Sequence, residues 1–109
     1  MKVKELLADA RFACANNTVS LDREIESGYV GDLLSWVMGR AQAGNAWITI
    51  MSNQNVAAVA LMAEVSCVIL TEGVVPDEAL RQRAQQQDIN LMGTELSTYD
   101  TAAALKQLL

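Results

Sequence analysis

Apolar positions along this chain fall into two regimes. From Ala46 onward they come as short blocks separated by turn residues, and before it the pattern is irregular. Ala46 to Met51 (AWITIM) is rich in β-branched and aromatic residues and reads as a buried strand. Val56 to Ala63 (VAAVALMA) is alanine-rich and reads as a short buried helix. Ser52, Asn53, Gln54 and Asn55 precede it, and either of the first two can cap it. Val65 to Leu70 (VSCVIL) reads as a second buried strand, followed by a turn at Thr71, Glu72 and Gly73. Pro76 suits the first position of a helix with Asp77 and Glu78 in its first turn. That helix runs to about Gln87 with Leu80 and Ala84 inward. Ile89 to Met92 is a third, short strand and Thr94 to Thr98 a polar loop. Ala102 to Leu109 is the last helix, and Ser97 with Asp100 resembles a capping box with a shorter acid.

The N-terminal third gives weaker signals. Val3 to Leu7 places Val3, Leu6 and Leu7 on one helical face. Phe12 to Ala15 reads as a short strand and Asn16–Asn17 as a turn. Val19 to Ser27 alternates only loosely. Gly28 and Gly31 bracket Tyr29 and Val30, which suggests a tight segment with special backbone angles. Asp32 then opens a helix containing Leu33, Leu34, Trp36, Val37 and Met38, with Arg40 near its end, an order of charges that suits the helix dipole. Gly44 and Asn45 end that element.

Strand, helix, strand, helix, strand, helix with short loops is the pattern of an α/β domain built on a parallel sheet. Near-continuous apolar strands mean that both faces of the sheet are covered. The N-terminal strands extend this sheet or form a hairpin beside it. Residues 1–109 are read as a single domain.

Composition narrows the function. The 109 residues carry 13 acidic and 8 basic side chains, no histidine and a net charge of −5. An acidic chain without a basic run does not hold nucleic acid or an anionic membrane by counterion release. Histidine-free chemistry lacks the commonest general base and metal ligand. The longest apolar stretch, Val56 to Leu70, is interrupted by Glu64 and Ser66, so no membrane span is expected. No apolar stretch of signal-peptide length develops near Met1. Cys14 and Cys67 are far apart and form no CxxC, so both are expected reduced, Cys67 in the core, in a cytoplasmic protein. No metal site is expected, and no Gly-Lys pair or GxGxxG is present to hold a phosphate.

Ligands of open parallel sheets bind outside the carboxyl ends of the strands. The residues read at those ends are Ser52, Asn53, Gln54 and Asn55 after the first strand, Thr71, Glu72 and Gly73 after the second, and Gly93, Thr94, Glu95, Ser97 and Thr98 after the third. Helices that start from the same rim offer backbone N–H groups that favour anions. Each of these residues also has a plain role as a cap or turn former. Glu72 and Glu95 make a conceivable carboxylate pair, but glutamates on neighbouring loops are more commonly solvated. Trp36 and Trp47 read as core or interface residues.

Several blocks together resemble a known family. GYVGDLLSWVM (Gly28 to Met38), AWITI (Ala46 to Ile50), NVAAVALM (Asn55 to Met62), VILTEGVVPDE (Val68 to Glu78) and INLMGTELSTYD (Ile89 to Asp100) resemble the DRTGG domain over nearly the whole chain. The resemblance implies a three-layer α/β/α fold with a mostly parallel sheet. That fold is similar to the N-terminal domain of HPr kinase/phosphorylase and related to the UDP-binding domains of muramyl ligases. DRTGG domains sit between CBS domains of some regulatory pyrophosphatases, where they accompany adenine-nucleotide regulation, and in long phosphate acetyltransferases. Stand-alone copies of this size look like those encoded near iron-hydrogenase and ferredoxin-type genes. The resemblance supplies no catalytic residue, since the kinase's phosphate-binding loop belongs to a separate domain. Within its blocks, Asp32, Thr49, Asn53, Asn55, Thr71, Glu72 and Gly73 are the polar and glycine positions to test.

The expectation is a non-enzymatic regulatory or ligand-sensing domain. It binds a small anionic ligand, a nucleotide for instance, or a partner protein, at the carboxyl rim, with no bound cofactor. Self-association as a homodimer is expected, because so small a domain with 51% hydrophobic residues has apolar surface to hide. The alternative is a purely structural interaction module of a hydrogenase-associated or redox-enzyme system. A kinase-related subunit ranks third.

Overall fold

A computed structural model describes residues 1–16 and 20–109. The elements, in chain order, are α1 (Val3–Leu7), β1 (Ala13–Cys14), β2 (Ser27–Val30), α2 (Leu34–Arg40), β3 (Asn45–Thr49), α3 (Asn55–Ala63), β4 (Cys67–Leu70), α4 (Glu78–Gln86), β5 (Leu91–Gly93) and α5 (Thr98–Leu108). They build a five-stranded sheet in the order β1-β5-β4-β3-β2. β2 to β5 are parallel, and β1 joins the β5 edge antiparallel, with Ala13 opposite Gly93.

Strands added in one direction through right-handed crossovers keep their connecting helices on one face. α2, α3 and α4 accordingly share a face, where Val37, Val56, Ala60, Leu80 and Ala84 pack on Trp47, Val68, Leu70 and Leu91. α1 and α5 cover the other, where Val3, Leu6, Ala104 and Leu105 pack on Ala46, Ile48, Cys67, Ile69 and Met92. The period-two alternation of a strand sorts its neighbours this way: Trp47 goes to one core and Ile48 to the other. The expected three-layer α/β/α architecture is present.

Several local readings change. The second strand of the N-terminal third is Ser27–Val30, not the stretch before it. Asn17 and Val19, which carried the turn and strand readings, lie outside the described residues. Gly28 and Gly31 do not have positive φ, and only Gly44 and Gly73 among the glycines do. Their constraint is space: a Cβ on Gly28 would lie 2.7 Å from Leu105, and one on Gly31 2.9 Å from the Tyr29 ring. Asp32 does not cap α2, whose N-cap is Leu33. Pro76 stands just ahead of the α4 cap, Asp77, rather than inside the helix. Asn45 opens β3 instead of ending the element before it. Thr98 opens α5 rather than closing a loop, and of the capping box only the Ser97 half forms, with Asp100 N–H donating to Ser97 Oγ at 3.0 Å.

Trp47 is fully buried, and its indole N–H donates to the Gly31 carbonyl at 2.9 Å, tying β3 to the end of β2. Trp36 is 54% exposed on the outer side of α2, with the Arg40 guanidinium 4.2 Å from its ring centroid. Among the described residues no helix is long and apolar enough to cross a membrane.

Candidate functional site

Because β2 to β5 run parallel, the loops that follow them leave from one end of the sheet. The structure brings most of the predicted rim residues together there. Thr71 N–H donates to Thr49 O (3.1 Å), Glu72 N–H to Leu96 O (2.8 Å), Gly73 N–H to Thr94 O (3.0 Å) and Asp77 N–H to Ser52 O (3.0 Å). Glu72 and Gly73 both have left-handed backbones, with φ of 61° and 70°. Val74 N–H closes this turn onto Thr71 O at 3.1 Å.

The side chains extend the mesh. The Asp32 carboxylate accepts from Thr49 Oγ1 (2.8 Å) and from Ile50 N–H (3.0 Å), and Thr49 Oγ1 in turn accepts from Met51 N–H (3.2 Å). The hydroxyls of Thr71 and Thr98 are 2.7 Å apart, and the Glu72 carboxylate accepts from Thr98 N–H at 3.1 Å. Thr94 Oγ1 accepts from Leu96 N–H at 3.2 Å, and Ser52 Oγ donates to Asp77 at 3.4 Å. Asn53 Oδ1 accepts from Asn55 N–H at 2.9 Å. The Asn55 side chain lies exposed at the start of α3, beside this mesh rather than within it.

This closure narrows one expectation, for α3 and α5. The first-turn N–H groups of Asn55, Val56 and Ala57 on α3, and of Thr98 and Asp100 on α5, all donate to their own or neighbouring loops. They are not open to an anion. Thr49 and Thr71 are fully buried and Thr94 nearly so. Their hydroxyls bind the rim to itself. Glu72 and Glu95 both stand at the rim, with the Glu95 carboxylate 2.5 Å from where a Cβ on Gly73 would be. Among the described residues no group of three or more His, Cys, Asp or Glu is arranged to hold a metal.

The open space lies to one side of the mesh, where β1 and the loop between β4 and α4 face each other. A hollow of about 350 Å³ is lined by Arg11, Cys14, Gly73, Val75, Gly93 and Thr94 among others. A second of about 500 Å³ shares Cys14, Ala15, Val75 and Pro76 with it and ends at Arg81. Together they make one groove with a guanidinium at each end. Its wall mixes apolar residues such as Val75, which is 79% exposed, with the polar Asn16 and Thr94 and the acidic Glu95.

Arg11 donates through Nε and Nη2 to the two oxygens of Asp9, at 3.0 and 2.7 Å. Those hydrogen bonds from Arg11 hold the Asp9 carboxyl down at about 2 and push the guanidinium's own pKa up. Arg81 donates to Ala15 O at 2.9 Å and to Glu78 at 3.4 Å, which braces α4 against the end of β1. A guanidinium has five N–H donors, so each arginine keeps donors beyond these bonds. The predicted residues Gly73 and Thr94 border this groove, but Arg11 and Arg81 were missed. Only their charge marked them in the sequence, and their meeting depends on β1 crossing to the β5 edge.

A profile of the DRTGG domain matches residues 9–108. Among solved structures the chain is similar to the CBS and DRTGG domains of the regulatory region of Clostridium perfringens pyrophosphatase, complexed with its activator diadenosine tetraphosphate. The TM-score is 0.71 at 16% sequence identity, over 95% of this chain and 45% of that one. The shared fold therefore spans less than half of that structure. No curated protein matches the chain.

Proposed function

The chain belongs to the DRTGG domain family, and from that premise we propose that it is a non-enzymatic regulatory domain that senses a small phosphate-bearing ligand, a nucleotide by class, in the groove between Arg11 and Arg81. The observation that carries this is the groove itself, lined by apolar residues together with Arg11 and Arg81, with Glu95 as the acid in its lining, on a chain of net charge −5. Two arginines at a distance suit a ligand with separated anionic groups, and an exposed apolar wall suits a flat base or sugar. The activator named with the pyrophosphatase regulatory region is of that chemical kind. The rim mesh then acts as scaffold. It fixes Gly73 and Thr94 at the groove's border, and the groove takes over the ligand-binding role first expected of Asp32, Thr49, Ser52, Asn53, Asn55, Thr71, Glu72, Ser97 and Thr98.

A second reading has its own support. Leu33 and Trp36 on α2 are exposed, and such residues anchor protein partners. In that reading the domain is an interaction module, with a hydrogenase- or ferredoxin-type protein as the partner class that the family resemblance implies.

Thermal unfolding against ADP, ATP, UDP and diadenosine tetraphosphate separates the two. A ligand at a hundred times its Kd stabilises by about 2.7 kcal/mol, which for a domain of this size raises Tm by roughly 10 °C or more. The expected result is such a shift for at least one ligand, lost in Arg11→Ala and Arg81→Ala. No shift with any of them rejects ligand sensing and leaves the interaction module, and a shift that survives both substitutions rejects the groove as the binding site.

A further inference from the structure

Half of the large apolar side chains exposed among the described residues fall in one tract. They are Leu33, Trp36, Met38, Ile50, Leu61 and Met62. The tract from Leu33 to Ala63 holds a single charged residue, Arg40, and all 13 acids of the chain lie outside it. It supplies α2 and α3, which lie side by side over the sheet. α1, α4 and α5 each bring an acid to their surfaces. An apolar, nearly uncharged outer face loses little on leaving water, and contiguous exposed surface of that kind marks an interaction site.

Within this face α2 is the helix least used by its own fold, since only Val37 on it is fully buried. The Arg40 guanidinium lies 4.2 Å from the Trp36 ring centroid, which holds the indole in one orientation while more than half of the residue stays exposed. Gly39 follows Trp36 by three positions, so the two are neighbours on the helix surface. It sits about 200° around the helix from Val37, on the outer side. Glycine is a poor helix former, and nothing inside the chain requires it here. Gly39 does not have a positive φ, and a Cβ on it would meet nothing within 4 Å. α2 therefore carries a fixed knob and an unfilled notch side by side.

We infer that a second copy of this chain docks on α2, with the two α2 helices antiparallel about a two-fold axis and Trp36 of each copy over Gly39 of the other. Because knob and notch share one helix, a single symmetric contact fills both. Without a Cβ at the crossing, the helices reach the short end of the usual spacing of about 8–10 Å. In this register Arg40, the one charge on α2, comes level with Ser35, and Asp32 just ahead of the helix comes level with Ala43. No acid meets an acid. Charge also selects the face: two chains of −5 repel through the surfaces that carry their acids, and the α2–α3 tract carries none.

Area sets the strength. Leu33, Trp36, Met38, Leu61 and Met62 are on average about half exposed, and at roughly 200 Å² for a large side chain they offer on the order of 500 Å² of surface per copy. The polar residues around them bring the patch to about 600 Å² per partner, where the range of specific interfaces begins. That area suits a dimer in concentration-dependent equilibrium with its monomer. The inference gives to a second copy the surface that the second reading above gives to a different protein. It is independent of the ligand groove, which lies at the β1 edge of the sheet.

Sedimentation equilibrium of the full chain, from low to high micromolar, is the test. The expected result is a monomer–dimer equilibrium, with tryptophan emission moving to the blue as Trp36 is covered. Gly39→Leu fills the notch and Trp36→Ala removes the knob, and each is expected to weaken association about tenfold or more. Gly39→Leu separates this from damage to the fold. It puts a strong helix former into open space, so its Tm in dilute solution is expected to hold or rise. Val30→Lys, on the side of the sheet that faces α5, is expected to leave association unchanged. A wild-type chain that stays monomeric at high concentration overturns the inference and leaves α2 to the partner of the second reading. A dimer that survives both Gly39→Leu and Trp36→Ala, or that Val30→Lys abolishes, overturns it as well.

Discussion

The hydroxyl pair between Thr71 and Thr98 holds the end of β4 to the start of α5, and its worth can be worked out before measurement. Valine keeps the shape of threonine and removes the hydroxyl. In Thr71→Val the partner left behind, Thr98, is only partly buried and can turn its hydroxyl to water. The cost is then the ordinary net value of one hydrogen bond, about 1 kcal/mol. In Thr98→Val the group left behind is the Thr71 hydroxyl, which has no exposure at all. An unsatisfied buried hydroxyl costs about 1–3 kcal/mol. Removing both leaves nothing unsatisfied, so the double variant costs less than the sum of the singles, by about 1 kcal/mol or more. Urea unfolding followed by far-ultraviolet circular dichroism reads all three variants, with unchanged m-values confirming that the native and unfolded states are comparable. The order expected is Thr98→Val more costly than Thr71→Val, with positive protection in the double. Additive costs within about 0.5 kcal/mol, or Thr71→Val as the worse single, would refute the account of the rim as an internally closed mesh.

Two further outcomes follow from titration and burial. Hydrogen bonds from Arg11 hold the Asp9 carboxyl at about 2, below its ordinary value of 3.8. A carboxyl depressed in the folded state contributes stability above its unfolded value and loses it as pH falls through the folded one. Asp9→Asn should therefore flatten the acid limb of the stability curve between about pH 4 and pH 2, and identical limbs in the two proteins would count against the pair. Burial pushes the Cys67 thiol up to about 12, so it stays protonated at neutral pH, while Cys14 is exposed on β1. Iodoacetamide should label Cys14 in the native chain and reach Cys67 only after unfolding, and mass spectrometry that finds native labelling at Cys67 contradicts its place in the core.

The central strands were legible because burial on both faces leaves only apolar residues in them. AWITIM and VSCVIL announce β3 and β4 within two residues at either end. β2 was not legible, because an edge strand needs no such run, and Ser27-Gly28-Tyr29-Val30 reads equally well as a loop. Gly28 and Gly31 were misread for a related reason. Glycine serves either backbone angle or close approach, and only the position of Leu105 and of the Tyr29 ring decides between them. Asp32 looked like a helix cap because a carboxylate ahead of an apolar periodic segment is the local signal for one. Its actual donors, Thr49 and Ile50, come from the next strand, at a distance no local rule covers.

The rim shows the same limit at the level of function. Threonine, serine, asparagine and aspartate after a strand mark where a chain turns, and they do so because their side chains bond to nearby backbone. That bonding makes such loops visible in a sequence, and it also consumes the donors and acceptors a ligand would need. Thr49, Asn53, Thr71, Thr94 and Ser97 each spend a side-chain oxygen on the fold. Arg11 and Arg81 follow no turn or capping rule, and each keeps donors after its bonds within the chain are made. For this domain the residues that local rules explain best hold the site's frame. Arg11 and Arg81, each bonded to a nearby acid and each with donors left over, are brought to one groove only by the β1–β5 pairing and the placement of α4.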